Sequence, residues 1–235
     1  YNTIDTTDKN LDKLHRYVKL KKKYLGINEM HMYDLYAQLV DKPKDKIEFK
    51  DAVDIVKNAL KPLGKEYVDL FQKGIDERWV DIYPNKGKKS GAYSWGCYDT
   101  KPYVLLNYNY ELSDVSTLAH EMGHSIHSYY SKTNQPYIYN EYTLFCAEVA
   151  STTNENLLIN YLINNEKDKN KKLFLVNQQL EQIRTTVFRQ VMFAEFEKIA
   201  HETLEKGNAL TSEDLCRIYH DLNVKYFGDD IIVDK

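Results

Sequence analysis

The chain has 235 residues with 32 basic and 35 acidic side chains, for a formal net charge of −3. Residues 1–90 carry 19 basic and 15 acidic groups and residues 91–235 carry 13 and 20, so neither half presents the basic surface that nucleic acid requires, and no apolar run reaches membrane-spanning length. With 9 Gly, 5 Pro, no repeat and no low-complexity tract, the sequence reads as one continuous helical body long enough to bury a real core. The lysine- and asparagine-rich runs KLKKK and NNEKDKNKK read as solvated faces or loops. Cys97, Cys146 and Cys216 are widely spaced and odd in number, which points to free thiols in a reducing compartment, by default the cytoplasm.

In chain order, residues 48–60 place Phe49, Ala52, Val53, Val56, Ala59 and Leu60 at helical spacing, and Pro62 opens a second helix through Leu63, Tyr67, Leu70 and Phe71. Residues 84–110 change character. Clustered Gly, many Tyr, a turn at Asp99–Pro102 and an apolar run from Tyr103 to Leu106 predict a small hairpin or sheet. Helical pattern resumes with Ser113 or Asp114 as N-cap and Val115, Leu118, Ala119, Met122 and Ile126 on the buried side. Another helix is predicted over about residues 140–164. The Gly-free, Pro-free stretch from Lys171 to Lys206 then puts Val176, Leu180, Ile183, Val187, Val191 and Ala194 on one stripe, as a spine for the fold. Gly207 supplies a left-handed stop, Thr211 and Asp214 form a capping box, and a last helix ends at Gly228.

The chemistry concentrates in TLAHEMGHSIHS, residues 117–128. His120 and His124 are four apart and therefore share one helix face, a two-pronged grip for a metal ion, with Glu121 placed to act on whatever the ion holds. Catalytic zinc takes three protein ligands and keeps a fourth position open. A third histidine in the H-E-x-x-H-x-x-G-x-x-H pattern is excluded, because positions 127 and 130 are His127 and Tyr130 rather than Gly and His. The third ligand is then a carboxylate from a following helix, and Glu141, Glu148 and Glu155 recur every seven residues. The apolar setting LFCAEVA ranks Glu148 first, since a carboxylate buried there needs a metal or a donor to offset its desolvation. The alternative for Glu148 is a structural pair with Arg184 or Arg189; Glu141 and Glu155 read as cap, surface or supporting groups. His127, one turn beyond His124, reads as a packed or hydrogen-bonded histidine rather than a fourth ligand.

Three long segments, HEMGHSIHSYYSKTNQPYIY, YTLFCAEVASTTNENLL and RTTVFRQVMFAEFE, resemble the oligoendopeptidase F branch of the thimet oligopeptidase family of zinc peptidases, as do MHMYDLY, RWVDIYPNKGKKSGAYS and PYVLLNY upstream. The resemblance implies a mainly α fold, a multi-helical zincin-type core with a small β-sheet beside the active-site helix. It implies one Zn2+ per chain held by His120, His124 and Glu148, with Glu121 as general base. It implies short peptides as substrates; the charge balance and the lack of a long apolar run leave no nucleic-acid or membrane partner expected. It also implies that residues 1–235 are a single catalytic-domain portion of a longer protein, without the N-terminal lobe and without a C-terminal helix rich in His and Tyr, so that turnover by this portion alone is expected to be low. Tyr219 and His220 precede that helix and read as an ordinary amphipathic pair.

Beyond the metal, a substrate backbone is expected along an exposed edge of the Tyr103–Tyr108 strand, with Asn107 as a polar clamp and the Gly91–Ala92–Tyr93 loop closing over it. Glu155 and His127 are candidate supporting groups. Two rivals stand beside the endopeptidase: a gluzincin-type carboxypeptidase, and a non-catalytic helical interaction module in which HEMGH is a coincidence.

Overall fold

The computed structural model describes residues 1–234. In chain order it contains α1 (Asn2–Asp8), α2 (Leu11–Leu25), a 3-10 turn at Met32–Tyr36, α3 (Phe49–Leu60), α4 (Lys65–Asp76), β1 (Val80–Asp81), β2 (Tyr93–Trp95), β3 (Tyr103–Leu105), α5 (Leu112–Asn134), α6 (Leu144–Asn165), α7 (Lys169–Ile183), a π-helical turn at Arg184–Phe188, α8 (Arg189–Glu205) and α9 (Ser212–Phe227). This is a mainly α protein with one small sheet. Contacts gather the chain into two compact units, residues 43–172 and residues 1–42 with 173–235, where the absence of Gly- or Pro-rich linkers reads as one body. One border falls inside α7, so no change of composition marks it.

In the unit of residues 43–172, α3 forms because its apolar residues recur at helical spacing, and Ala52, Val53, Val56, Ala59 and Leu60 are buried. Pro62 opens only a single 3-10 turn, Lys61–Leu63; Gly64, at φ +94°, breaks the chain before α4 buries Leu70 and Phe71. The sheet order is β1–β3–β2, with β1 and β3 parallel and β2 and β3 antiparallel, Tyr93 opposite Leu105 and Trp95 opposite Tyr103. Asp99, at φ +61°, turns the hairpin.

Helix α5 starts two or three residues earlier than expected. Glu111 is its N-cap, and Asp114, at the third helical position, accepts the Glu111 backbone N–H at 2.9 Å and that of Asn109 at 2.7 Å. Its inner face, Val115, Leu118, Ala119, Met122 and Ile126, joins the same core as α3, α4, Trp79, Val104, Leu106 and Leu158 of α6. That places the histidine-bearing face of α5 alongside α6.

The other unit packs Leu11, Leu14 and Val18 of α2 with Met30, Leu35, Met192 of α8, Leu222, Tyr226 and Phe227 of α9, and Ile231. It also buries charge. Glu181 accepts hydrogen bonds from Arg184 Nε at 3.0 Å and Nη2 at 2.6 Å, from Tyr17 at 2.5 Å, and from Lys21 Nζ at 3.3 Å. The expected apolar spine is not realised: Val176, Leu180, Ile183, Val187 and Ala194 are exposed and Val191 is only partly buried, while Phe174, Leu175, Arg184 and Met192 are buried instead. Residues 173–176 read Leu-Phe-Leu-Val, apolar almost all round, so periodicity cannot pick the inner face. The π turn then adds a residue and rotates the stripe that follows. Gly207 and Gly228 end α8 and α9 at positive φ, and Thr211 and Asp214 cap α9 reciprocally.

Candidate metal centre

His120 and His124 project from one face of α5, and their Nε2 atoms are 3.1 Å apart. Glu148 reaches them from the second turn of α6, with Oε2 at 3.5 Å from His120 Nε2 and 3.6 Å from His124 Nε2. Among the described residues these three form the one group of His, Cys, Asp and Glu donors close enough to share an ion. Tetrahedral coordination with bonds of about 2.0–2.2 Å separates neighbouring ligand atoms by about 3.3–3.6 Å. The two edges to Glu148, 3.5 and 3.6 Å, fall in that range, the 3.1 Å edge between the imidazoles is about 0.2 Å shorter, and two imidazoles with one carboxylate suit zinc.

The supporting contacts are equally specific. His120 Nδ1 lies 3.3 Å from Glu155 Oε1, so a proton on Nδ1 is held by the carboxylate and the Nε2 lone pair is left facing the other two donors. Burial pushes the His120 imidazolium down, but the hydrogen bond and charge of Glu155, with the charges of Glu121 and Glu148, outweigh it and the pKa is raised. His124 goes the other way: its burial outweighs Glu148 and the pKa is lowered, favouring the neutral ring that binds metal. Glu121 is buried at 7% exposure. Burial raises its carboxyl pKa, with the charges of Glu148 and Glu155 in the same direction, against His120 and a hydrogen bond from the Ser94 backbone. A carboxyl so placed takes up a proton more readily than one in water.

The burial argument for Glu148 is overturned. Its side chain is 57% exposed, whereas Glu155, ranked lower on that ground, is 20% exposed. The apolar neighbours that suggested burial, Leu144, Phe145 and Val149, are themselves 86%, 89% and 60% exposed, and α6 buries residues only from Ser151 onward. What selects Glu148 is position on the helix. Its offered structural partner Arg184 pairs with Glu181 instead. Glu141 is exposed and lies before α6.

His127 stays outside the donor triangle. Its ring stacks on Tyr142 at 3.8 Å and 11°, burial lowers its pKa, and its buried Nδ1 has no hydrogen-bond partner among the described residues. The strand expectation needs correction as well. Residues Tyr103–Leu105 form the central strand, paired on both sides, so the edge nearest α5 belongs to β2. Ser94 of β2 binds Ser125 of α5, hydroxyl to hydroxyl, at 2.8 Å. Asn107 is not a free clamp, because its amide donates to the carbonyls of Lys89 at 3.0 Å and Gly91 at 2.8 Å and so ties down the loop before Tyr93. Tyr93 stands half exposed on β2. Sequence reading missed Ser94 and Ser151. Ser151, three residues after Glu148, was within reach of the i, i+3 rule; nothing local marked Ser94.

A helix-borne pair of imidazoles, a carboxylate from the next helix and a buried carboxylate beside them have the composition of a metallohydrolase centre. The chain belongs to peptidase family M3, whose family model matches residues 2–235. It is 50% identical over 234 residues to oligopeptidase PepF of Bacillus subtilis, covering all of this chain and 35% of that protein. An oligoendopeptidase F homolog of Borreliella burgdorferi is 43% identical over 236 residues, with 40% of its length covered. Oligoendopeptidase-F from Enterococcus faecium has a solved structure that superposes with a TM-score of 0.66 at 35% identity, over 98% of this chain and 33% of that one. A solved chain of Chlamydophila abortus reaches 0.85 at 43% identity, over 99% and 39%. The chain therefore spans well under half the length of these relatives.

Proposed function

We propose that the chain carries the metal centre of a zinc endopeptidase that hydrolyses short peptides. The observation that carries this reading is the triangle of His120, His124 and Glu148 with Glu121 buried beside it. A zinc ion held there would activate water and polarise the scissile carbonyl. Glu121, in its partly desolvated setting, accepts the proton of the attacking water and delivers it to the leaving amine. Ser94 steadies that carboxylate through its backbone N–H, and Glu155 keeps the His120 ring turned toward the site. An extended peptide pairs along the free edge of β2, beside Glu121, with the Asn107-tethered loop at one end. Three exposed, unbridged cysteines support a reducing, cytoplasmic setting. None of the described helices is long and apolar enough to cross a membrane.

Product analysis on one peptide of about ten residues tests the reaction class. Internal cleavage into two shorter peptides is expected. Stepwise release of single C-terminal residues would instead make the site that of a carboxypeptidase.

A further inference from the structure

Glu148 has to hold a fixed position opposite two imidazoles although more than half of its side chain is exposed. A glutamate in water samples many rotamers, so packing does not aim it. The group that does touch it is Ser151, one turn along α6. Its Oγ lies 2.8 Å from Glu148 Oε2, the same oxygen that faces both histidines. The competing acceptor, the Glu148 backbone carbonyl, is farther at 3.2 Å and already accepts the Thr152 hydroxyl. Ser151 is itself immovable: it is fully buried, and its backbone passes so close to Gly123 of α5 that a β-carbon there would lie 2.8 Å from Ser151 Cα.

From this geometry, and resting on the metal-centre reading above, we propose that Ser151 is a positioning residue for the metal: its hydroxyl, fixed between α5 and α6, holds the exposed Glu148 carboxylate in the ligand orientation. The hydroxyl donates to one lone pair of Oε2 and leaves the other side of that oxygen to the ion. Hydrogen-bond partners of ligating carboxylates are commonly worth 10- to 100-fold in metal affinity.

The test is the zinc dissociation constant of the 235-residue chain, measured by competition with a chromophoric chelator, for the parent, Ser151→Ala, Ser151→Cys and Glu148→Gln, with thermal unfolding of each metal-free form. Ser151→Ala removes the hydroxyl with little change of volume and should weaken zinc binding about 10- to 100-fold while the metal-free melting temperature stays within about 2 °C. Ser151→Cys, a weak donor of similar shape, should fall between Ala and the parent. If the parent and Ser151→Ala bind equally tightly while Glu148→Gln does not bind, the inference alone is overturned. It is also overturned if the affinity loss follows a matching loss of metal-free stability in both Ser151 variants, because Ser151 would then be a packing residue. A parent that binds no zinc overturns the metal-centre reading itself.

Discussion

Replacing Gly123 by alanine tests whether the spacing of α5 and α6 sets the metal centre. Removing a glycine from a helix interior should by itself stabilise the helix by about 1 kcal/mol. Here the added β-carbon would sit 2.8 Å from Ser151 Cα, 3.0 Å from Ser151 N and 3.1 Å from Ala150 C. All three are backbone atoms, so no side-chain rotation relieves the contact. Carbon atoms pack at about 3.5–4.0 Å, which asks the helices to part by roughly 0.7–1.2 Å. Overpacking of this kind costs about 1–3 kcal/mol, which at least cancels the propensity gain. The functional effect is larger. Edges of 3.5 and 3.6 Å between Glu148 and the histidines would open beyond about 4 Å, past what bonds of about 2.0–2.2 Å can span. Gly123→Ala should therefore melt up to about 8 °C lower in the metal-free state and bind zinc at least about tenfold more weakly. Chelator competition and calorimetry on the same preparation read both quantities. An unchanged zinc affinity with an equal or higher melting temperature would refute the spacing argument.

Glu121→Gln should keep the parent's zinc content and lose peptide hydrolysis, because Glu121 lies outside the donor triangle; loss of the metal together with activity would show that it is not the base. In the unit of residues 1–42 and 173–235, burial tends to raise the Glu181 carboxyl pKa, but hydrogen bonds from Arg184 and Tyr17 and the charges of Arg184 and Lys21 outweigh it, leaving the pKa lowered. A pKa lower in the folded than in the unfolded chain contributes stability above the unfolded value, about 4.3, and that contribution is lost as pH falls through the folded value. Urea midpoints should thus drop more steeply below pH about 4.3 in the parent than in Glu181→Gln, and equal slopes would remove Glu181 from the acid response.

The inner faces of α3 and α5, the capping box before α9 and the hairpin turn at Asp99 were legible because each depends on residues within a few positions of one another. The two histidines were legible for the same reason: four residues apart on a helix is a distance in space as well as in sequence. The third donor was a different matter. Local hydrophobicity pointed to Glu148 on a premise that fails, since Leu144, Phe145 and Val149 flank it and face solvent; family resemblance named the residue that the helix pairing brings to the histidines. Strand order is non-local as well. An apolar run at residues 103–106 says that a strand exists, and only the pairing of β1 and β2 on either side reveals that it is central. The tether from Asn107 to Lys89 and Gly91 and the Ser94–Ser125 contact likewise join segments about 16 to 31 residues apart, which no periodicity connects.

The central claim is that one zinc ion is held by two histidines of α5 and one glutamate of α6. It is tested most directly by counting zinc in the purified chain and in Glu148→Gln after dialysis against a weak chelator. One zinc per chain is expected in the parent and close to none in the variant, with the helical content of both unchanged. Equal zinc in the two would contradict it.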